Sequence, residues 1–148
     1  MEKGNIIFNE DRIPDTNYFV YKTKNYPIKF DFFKHSSQYF HENKQKLKNT
    51  KYIHLVDEET EQNTNFKEEY IKDFINYVQC QQISLESHNV VCLNYLSNIY
   101  KITRLQNITN EYISKHEEKV ILSTNIKVSK HLAQHLTRKL SVITLKNT

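Results

Sequence analysis

His131 and His135 stand four residues apart, a spacing that places two imidazoles on one face of a helix and lets them share a metal ion. No Glu adjoins His131 and no third ligand is evident, so the pair reads as two solvent-facing histidines and no metal is assigned. Cys80 and Cys92 are the only cysteines. They lie too far apart for a Cys-x-x-Cys unit, and neither adjoins a fixed base. Cys92 falls inside an apolar helical run and reads as a small buried hydrophobe. A Cys–His nucleophile would have to recruit His54 or His88 from elsewhere in the chain. The carboxylate runs Asp57-Glu58-Glu59 and Glu117-Glu118 match acid/base pairs in composition only; they read as a solvated loop and a helix start. No catalytic residue and no cofactor are assigned, and the chain is not expected to be an enzyme.

The basic side chains offer a different chemistry. Lys44, Lys46, Lys48 and Lys51 follow the aromatic pair Tyr39-Phe40, and Lys127, Lys130, Arg138 and Lys139 form a second cluster. Clustered cations are the electrostatic footprint of nucleic-acid binding. Here Asn and Gln dilute the lysines and no recognition motif frames them. A small basic nucleic-acid-binding protein is therefore the alternative reading, not the first. The net charge of +4 arises from 21 basic and 17 acidic residues, interleaved along most of the chain, which chiefly confers solubility. A single glycine, Gly4, excludes the Gly-rich phosphate loops of P-loop and dinucleotide folds. No apolar run approaches the roughly 20 residues that cross a bilayer, and Met1 to Asn5 do not open a signal peptide. With two cysteines and no secretory context, reduced thiols and a cytoplasmic or nuclear location are expected, away from membranes.

These side chains must be carried by a folded frame. Of 148 residues 38% are hydrophobic, but ten Tyr and eight Phe supply core volume that aliphatics do not. Residues 1–17 are polar apart from Ile6-Ile7-Phe8 and are broken by Pro14, which suggests a loosely held arm. Tyr18 to Tyr21, a polar link at Lys22 to Asn25, then Tyr26 and Ile28 read as a β-hairpin with a slightly long turn. Pro27 belongs on its edge or exposed side, because it has no N–H to donate. Phe30, Phe32 and Phe33, then Tyr39 and Phe40, form two short helical patches divided by Ser36-Ser37. The stretch Lys44 to Lys51 is basic and polar; Tyr52 to Val56 alternates as a strand. Asp57 to Asn65 reads as a loop. Ile71, Phe74 and Val78 share a helical face. A further helix begins near His88, with Ser87 or Asn89 as N-cap. Val90, Leu93, Leu96 and Tyr100 form its stripe, and Leu105, Ile108, Tyr112 and Ile113 mark the next helix. The order predicts an α+β fold, a small sheet covered by helices, with no internal repeat and no Thr-Pro-Leu-His ankyrin pattern.

Tyr26 to Phe40 resembles, without a gap, the first signature of the BTB/POZ family: an aromatic, a small residue, His-Lys, Leu, then Ser-Pro-Tyr-Phe. Tyr26 takes the aromatic place, Ile28 the small one, Lys29-Phe30 that of His-Lys, Phe33 that of Leu, and Ser37-Gln38-Tyr39-Phe40 the closing four. A second signature follows: Phe74-Ile75-Asn76-Tyr77, an expected strand at Ile83-Ser84-Leu85, then Asn89-Val90, Leu93, Leu96-Ser97, Tyr100, Ile102 and Leu105. Ile53 and Leu55, ending at Asp57, match the intervening strand. The chain looks closest to divergent protist BTB-like domains that often precede ankyrin repeats.

The resemblance implies a BTB/POZ-like domain over residues 18–113, with a C-terminal helical extension over 114–148. In that extension the stripe Val128, Leu132, Leu136, Leu140 and Ile143 is expected to pack back on the domain; a docking surface and the start of the helical extension that follows many BTB domains are the open alternatives. The implied function is a non-catalytic protein-interaction module, whose partner in this family is often a cullin-type ubiquitin-ligase scaffold or another copy of the domain. Outward side chains at Ser37, Gln38, Tyr39, His41 and Leu47 are the implied partner-binding residues, with Tyr39 as an aromatic anchor. Several departures bear on this. The His and the Pro of the first signature are missing. Leu47-Lys48-Asn49 lacks the acid of the hydrophobic-x-Glu element used for cullins. Only a polar arm with Asp15 stands where swapped dimers carry an apolar helix, so homodimerisation is left open.

Overall fold

A computed structural model describes residues 16–123. The fold is α+β: among the described residues three strands form one sheet and eight helices surround it. Strand β1 (Thr16–Tyr21) pairs antiparallel with β2 (Lys24–Lys29) and parallel with β3 (Tyr52–His54), in the order β2-β1-β3. Burial alternates along β1, so Asn17, Phe19 and Tyr21 face the core, as the two-residue period of a strand requires. Phe19 lies opposite Tyr26 on β2 and Ile53 on β3, which places all three on the buried face. β2 is an edge strand and Pro27 is exposed on it, where its missing N–H costs no ladder bond.

The hairpin turn is tighter than its sequence suggests. Lys22 and Thr23 alone form it, at φ 55° and 79°, the two-residue geometry whose twist matches the strands it joins. The Lys22 amide donates to a Glu61 carboxylate oxygen at 2.7 Å, which holds this strained turn against the domain. The sheet also begins two residues inside the stretch expected to be an arm. Asn17 is buried and its Nδ2 donates to the Thr50 carbonyl at 2.8 Å, reaching those of Leu47 and Lys48 at 3.3 and 3.4 Å.

Helices α1 (Phe30–Ser36), α2 (Gln38–Glu42) and α3 (Lys44–Lys48) lead from β2 to β3. The third was not foreseen: a basic polar stretch folds as helix because Leu47 anchors it in the core and Asn17 satisfies its closing carbonyls. The acidic stretch after β3, expected to be a loop, is helix α4 (Glu58–Asn63). Asp57 caps it, accepting from the Thr60 amide at 2.7 Å, with Glu58 and Glu59 at the positive end of its dipole. Two tyrosines fasten this segment. Tyr21 Oη lies 2.7 Å from Thr64 Oγ1, and Tyr95 Oη 3.1 Å from Thr60 Oγ1.

Helix α5 (Glu68–Val78) buries Ile71, Phe74, Ile75 and Val78, the face its spacing predicts. No strand follows it. Ile83 and Leu85 are half-buried, but residues 81–86 have no neighbouring strand to pair with, and the Ser84 carbonyl accepts from Asn89 Nδ2 instead. Helix α6 (Val90–Ile99) is buried from Val90 through Ser97, so it is a central helix and not an amphipathic one. Helix α7 (Thr103–Lys115) packs beside it, with Asn94 Nδ2 donating to Thr109 Oγ1 at 2.9 Å inside the pair. Helix α8 (Glu117–Ser123) adds Val120 to the core. The C-terminal stripe from Val128 on, His131, His135 and the second basic cluster lie outside the described residues.

The core is aromatic. Phe19 on β1 contacts Phe33 of α1, Phe40 of α2, Phe74 of α5 and Tyr100 at the end of α6, with ring centroids 5.3–6.4 Å apart. Tyr100 also donates its hydroxyl to the Leu55 carbonyl at 2.6 Å; burial raises that phenol's pKa far above its ordinary value. In urea denaturation, Phe19→Ala is expected to lose about 3–5 kcal/mol. Tyr100→Phe keeps the ring and is expected to lose about 1–3 kcal/mol through the orphaned carbonyl. A Phe19→Ala loss below that of Tyr100→Phe would contradict the central place given to Phe19.

Candidate functional site

Ser37 occupies the corner between α1 and α2, and its bonding shows why a serine stands there. Its Oγ accepts from the Phe40 amide at 3.0 Å, capping α2, and donates to the Tyr100 carbonyl. Next to it the Gln38 amide donates to the Lys101 carbonyl at 3.2 Å. The corner is thereby clamped to the joint between α6 and α7. Ser37 is 1% exposed, so the expectation that it faces a partner is corrected: it is an internal clamp.

Leu47 is likewise turned inward, at 6% exposure, because it is the one apolar anchor of α3. Tyr39 is half-buried, with its ring edge-on to Tyr100 at 5.5 Å. Gln38 and His41 are exposed. The five sequence-derived positions thus separate into two that line the surface, two that build the core and one between them.

An open groove of about 1400 Å³ runs past this corner, and Ser37, Gln38 and His41 line it. Its other walls are the end of α5 with the segment Cys80 to Leu85, and the α6–α7 joint from Lys101 to Arg104. Ile83, Leu85, Ile102 and Ile108 contribute apolar surface. Both joints end in the same backbone device. The Gln81 amide donates to the Asn76 carbonyl and the Ile102 amide to the Ser97 carbonyl, each at 2.9 Å. These are the six-to-one bonds of a Schellman cap. The residues in the left-handed position are Cys80 at φ 64° and Lys101 at φ 52°, where glycine is the usual occupant. Asn89 fixes the groove's far side. Its Oδ1 accepts from the Glu86 amide at 2.9 Å, and its Nδ2 donates to Asp73 Oδ2 at 3.1 Å. Asn89 therefore stands at the N-cap position yet bonds the preceding segment; its side chain does not cap α6.

The rim is polar. Glu42 accepts from Gln38 Nε2 at 2.7 Å and from Lys101 Nζ at 3.3 Å, and these bonds, Gln38's first, hold its carboxyl below the ordinary range. Sequence spacing gave no sign of Lys101, Arg104 or the Cys80 segment, which meet only because three helix ends converge. The residues weighed for catalysis do not converge. His54 is exposed on β3, and His88 bonds Glu86 at 3.1 Å and stacks on Tyr70. Cys92 is fully buried, and its thiol is pushed well above the ordinary range by desolvation first and then by Asp73. Among the described residues no group of three His, Cys, Asp or Glu could hold a metal, and no helix is long and apolar enough to cross a membrane.

Comparison of the chain with protein-family models, with curated proteins and with solved structures finds no match.

A thiol reagent such as Ellman's reagent is expected to label Cys80 in the native state and Cys92 only on unfolding, because exposure and thiolate character set the rate. Two fast native thiols would contradict the burial of Cys92. Lys101→Gly is expected to stabilise the fold by about 0.5–1 kcal/mol, the left-handed penalty less glycine's added chain entropy. A destabilised variant would show that residue 101 is not held at positive φ.

Proposed function

We propose that this chain is a non-catalytic protein-interaction module of BTB/POZ type, acting as an adaptor to a cullin-type scaffold or as a self-assembly domain. One observation carries the reading: most positions of the two signatures that resemble the family lie in the core. Tyr26, Ile28, Phe33, Ser37 and Phe40 of the first are buried, as are Phe74, Ile75, Asn89, Val90, Leu93, Leu96, Tyr100, Ile102 and Leu105 of the second. The polar members Ser37 and Asn89 are buried along with the apolar ones, at 1% and 2% exposure. The element order agrees with the resemblance as well: hairpin, helices, third strand, helix, then a helix pair. The one piece missing is the strand at Ile83 to Leu85.

The burial of Leu47 bears on the partner. A cullin contact built on Leu47-Lys48-Asn49 would require that leucine to leave the core, and the element has no acid. Partner contact is therefore assigned to the exposed rim residues Gln38 and His41 and the groove beside them.

Mass measurement in solution, run beside a pull-down from native lysate, tests the proposal. Recovery of a cullin supports the adaptor role, and a doubled mass supports self-assembly. Recovery of nucleic acid alone, with binding that falls roughly a thousandfold or more over a modest rise in salt, would overturn it in favour of the lysine cluster at Lys44, Lys46, Lys48 and Lys51.

A further inference from the structure

The groove beside Ser37 has a single sign of charge. Its charged lining is Lys34, Lys101 and Arg104, and no carboxylate lines it. Two acids outside the lining pair with its residues: Asp31 lies 3.8 Å from Lys34, and Glu42 is held by Gln38 and Lys101. Arg104 is exposed and makes no ion pair among the described residues. The first turn of α7, which carries Arg104, contains no acidic residue, so the positive end of that helix adds to the same field. The half-buried Ile83, Leu85 and Ile108 line the same groove, with the buried Ile102 beside them. At Lys24, Glu68 and Lys72, by contrast, acid and base pair with one another.

We propose that this groove binds an acidic peptide segment of a partner protein, with carboxylates meeting Arg104, Lys34 and Lys101 and an apolar side chain resting on the isoleucines. The inference rests on the interaction-module reading and specifies its ligand. Charge complementarity selects the occupant: the apolar lining suits a side chain, and lining charges of positive sign only disfavour a basic segment. Glu42 acts as an internal competitor, because it already occupies Lys101 and Gln38 in the way an incoming carboxylate would. Removing its charge should therefore strengthen binding, an effect that loss of folding would not produce.

The test is selection of displayed random peptides on the full chain, followed by anisotropy titration of the best peptide against variants. Enriched peptides should carry Asp or Glu flanking a Leu or Phe. The double change Lys34→Glu and Arg104→Glu should weaken binding roughly tenfold, and Glu42→Gln should strengthen it severalfold. Lys44→Glu, outside the groove, should leave it unchanged. Enriched peptides without acids, or acidic peptides that bind the double variant equally, would overturn the groove's assignment. The module reading would stand in that case, since the lysate pull-down judges it separately. Failure to enrich any peptide would also overturn the assignment. A single-stranded oligonucleotide that competes with the peptide and shows the same Arg104 dependence would make the groove a general polyanion site and defeat the proposal.

Discussion

Five elements of this fold meet at one cluster of rings. Phe19 brings the central strand, Phe33 and Phe40 the first two helices, Phe74 the fifth and Tyr100 the end of the sixth. Aromatic side chains bury more area apiece than aliphatics and prefer tilted or edge-on contacts, which restrict how the elements can be turned. Phe19 and Phe33 meet edge-on at 81°, and Tyr39 and Tyr100 at 79°. A chain with only 38% hydrophobic residues obtains its core in this way, by concentrating volume in a few positions. It follows that the sheet and the helices are not separate layers merely in contact; they share the same rings.

Buried polar groups then fix what the rings leave free. Ser37 ties the α1–α2 corner to the α6–α7 joint, Asn17 closes α3, Asn89 holds the segment before α6, and Asn94 with Thr109 sets the α6–α7 pair. Each is buried and each finds its partners, as the cost of an orphaned polar group in the interior demands. Apolar packing alone tolerates rotation and sliding. A hydrogen bond to a particular partner does not, so these five side chains act as register marks between elements distant in sequence.

The parts of the fold that were legible are those written in periodicity. The hairpin, α5, α6 and α7 follow from recurring apolar positions, and the third strand from alternation. What escaped detection had its cause elsewhere. Helix α3 contains one apolar residue and depends on Asn17, thirty positions away from Leu47. Helix α4 contains no hydrophobe at all; its cap at Asp57 was written in the sequence, but the tyrosine hydroxyls that hold it come from Tyr21 and Tyr95. The turn at Lys22-Thr23 lacks the Asn-Gly pair that normally announces it. Ile83 to Leu85 alternates like a strand because one side faces the core, yet alternation does not supply a pairing partner. Of the five positions assigned to a partner surface, Ser37 and Leu47 failed for one reason: polarity and loop context do not reveal burial when a hydroxyl has an internal carbonyl to bond or a leucine is its helix's only anchor.

Shape and charge in the groove have separate origins. Its walls turn at Cys80 and Lys101, where the left-handed caps end α5 and α6, and that geometry belongs to the backbone bonds Gln81 to Asn76 and Ile102 to Ser97. A chain whose single glycine is Gly4 must place other residues there, at a cost of roughly 1–2 kcal/mol each. The strain persists because both caps are bounded by core residues, Val78 before the first and Tyr100 and Ile102 around the second. The sign of the groove, by contrast, comes from side chains at the rim, Lys34, Lys101 and Arg104, none of them needed by the core. A change at Arg104 alters what the groove attracts and leaves its walls in place. A change at Tyr100 disturbs the Leu55 bond and four aromatic neighbours at once, beside the main-chain carbonyl that Ser37 holds. The groove rim and the folding core therefore meet at adjacent residues, Tyr100 and Lys101, with the first facing the rings and the second the rim.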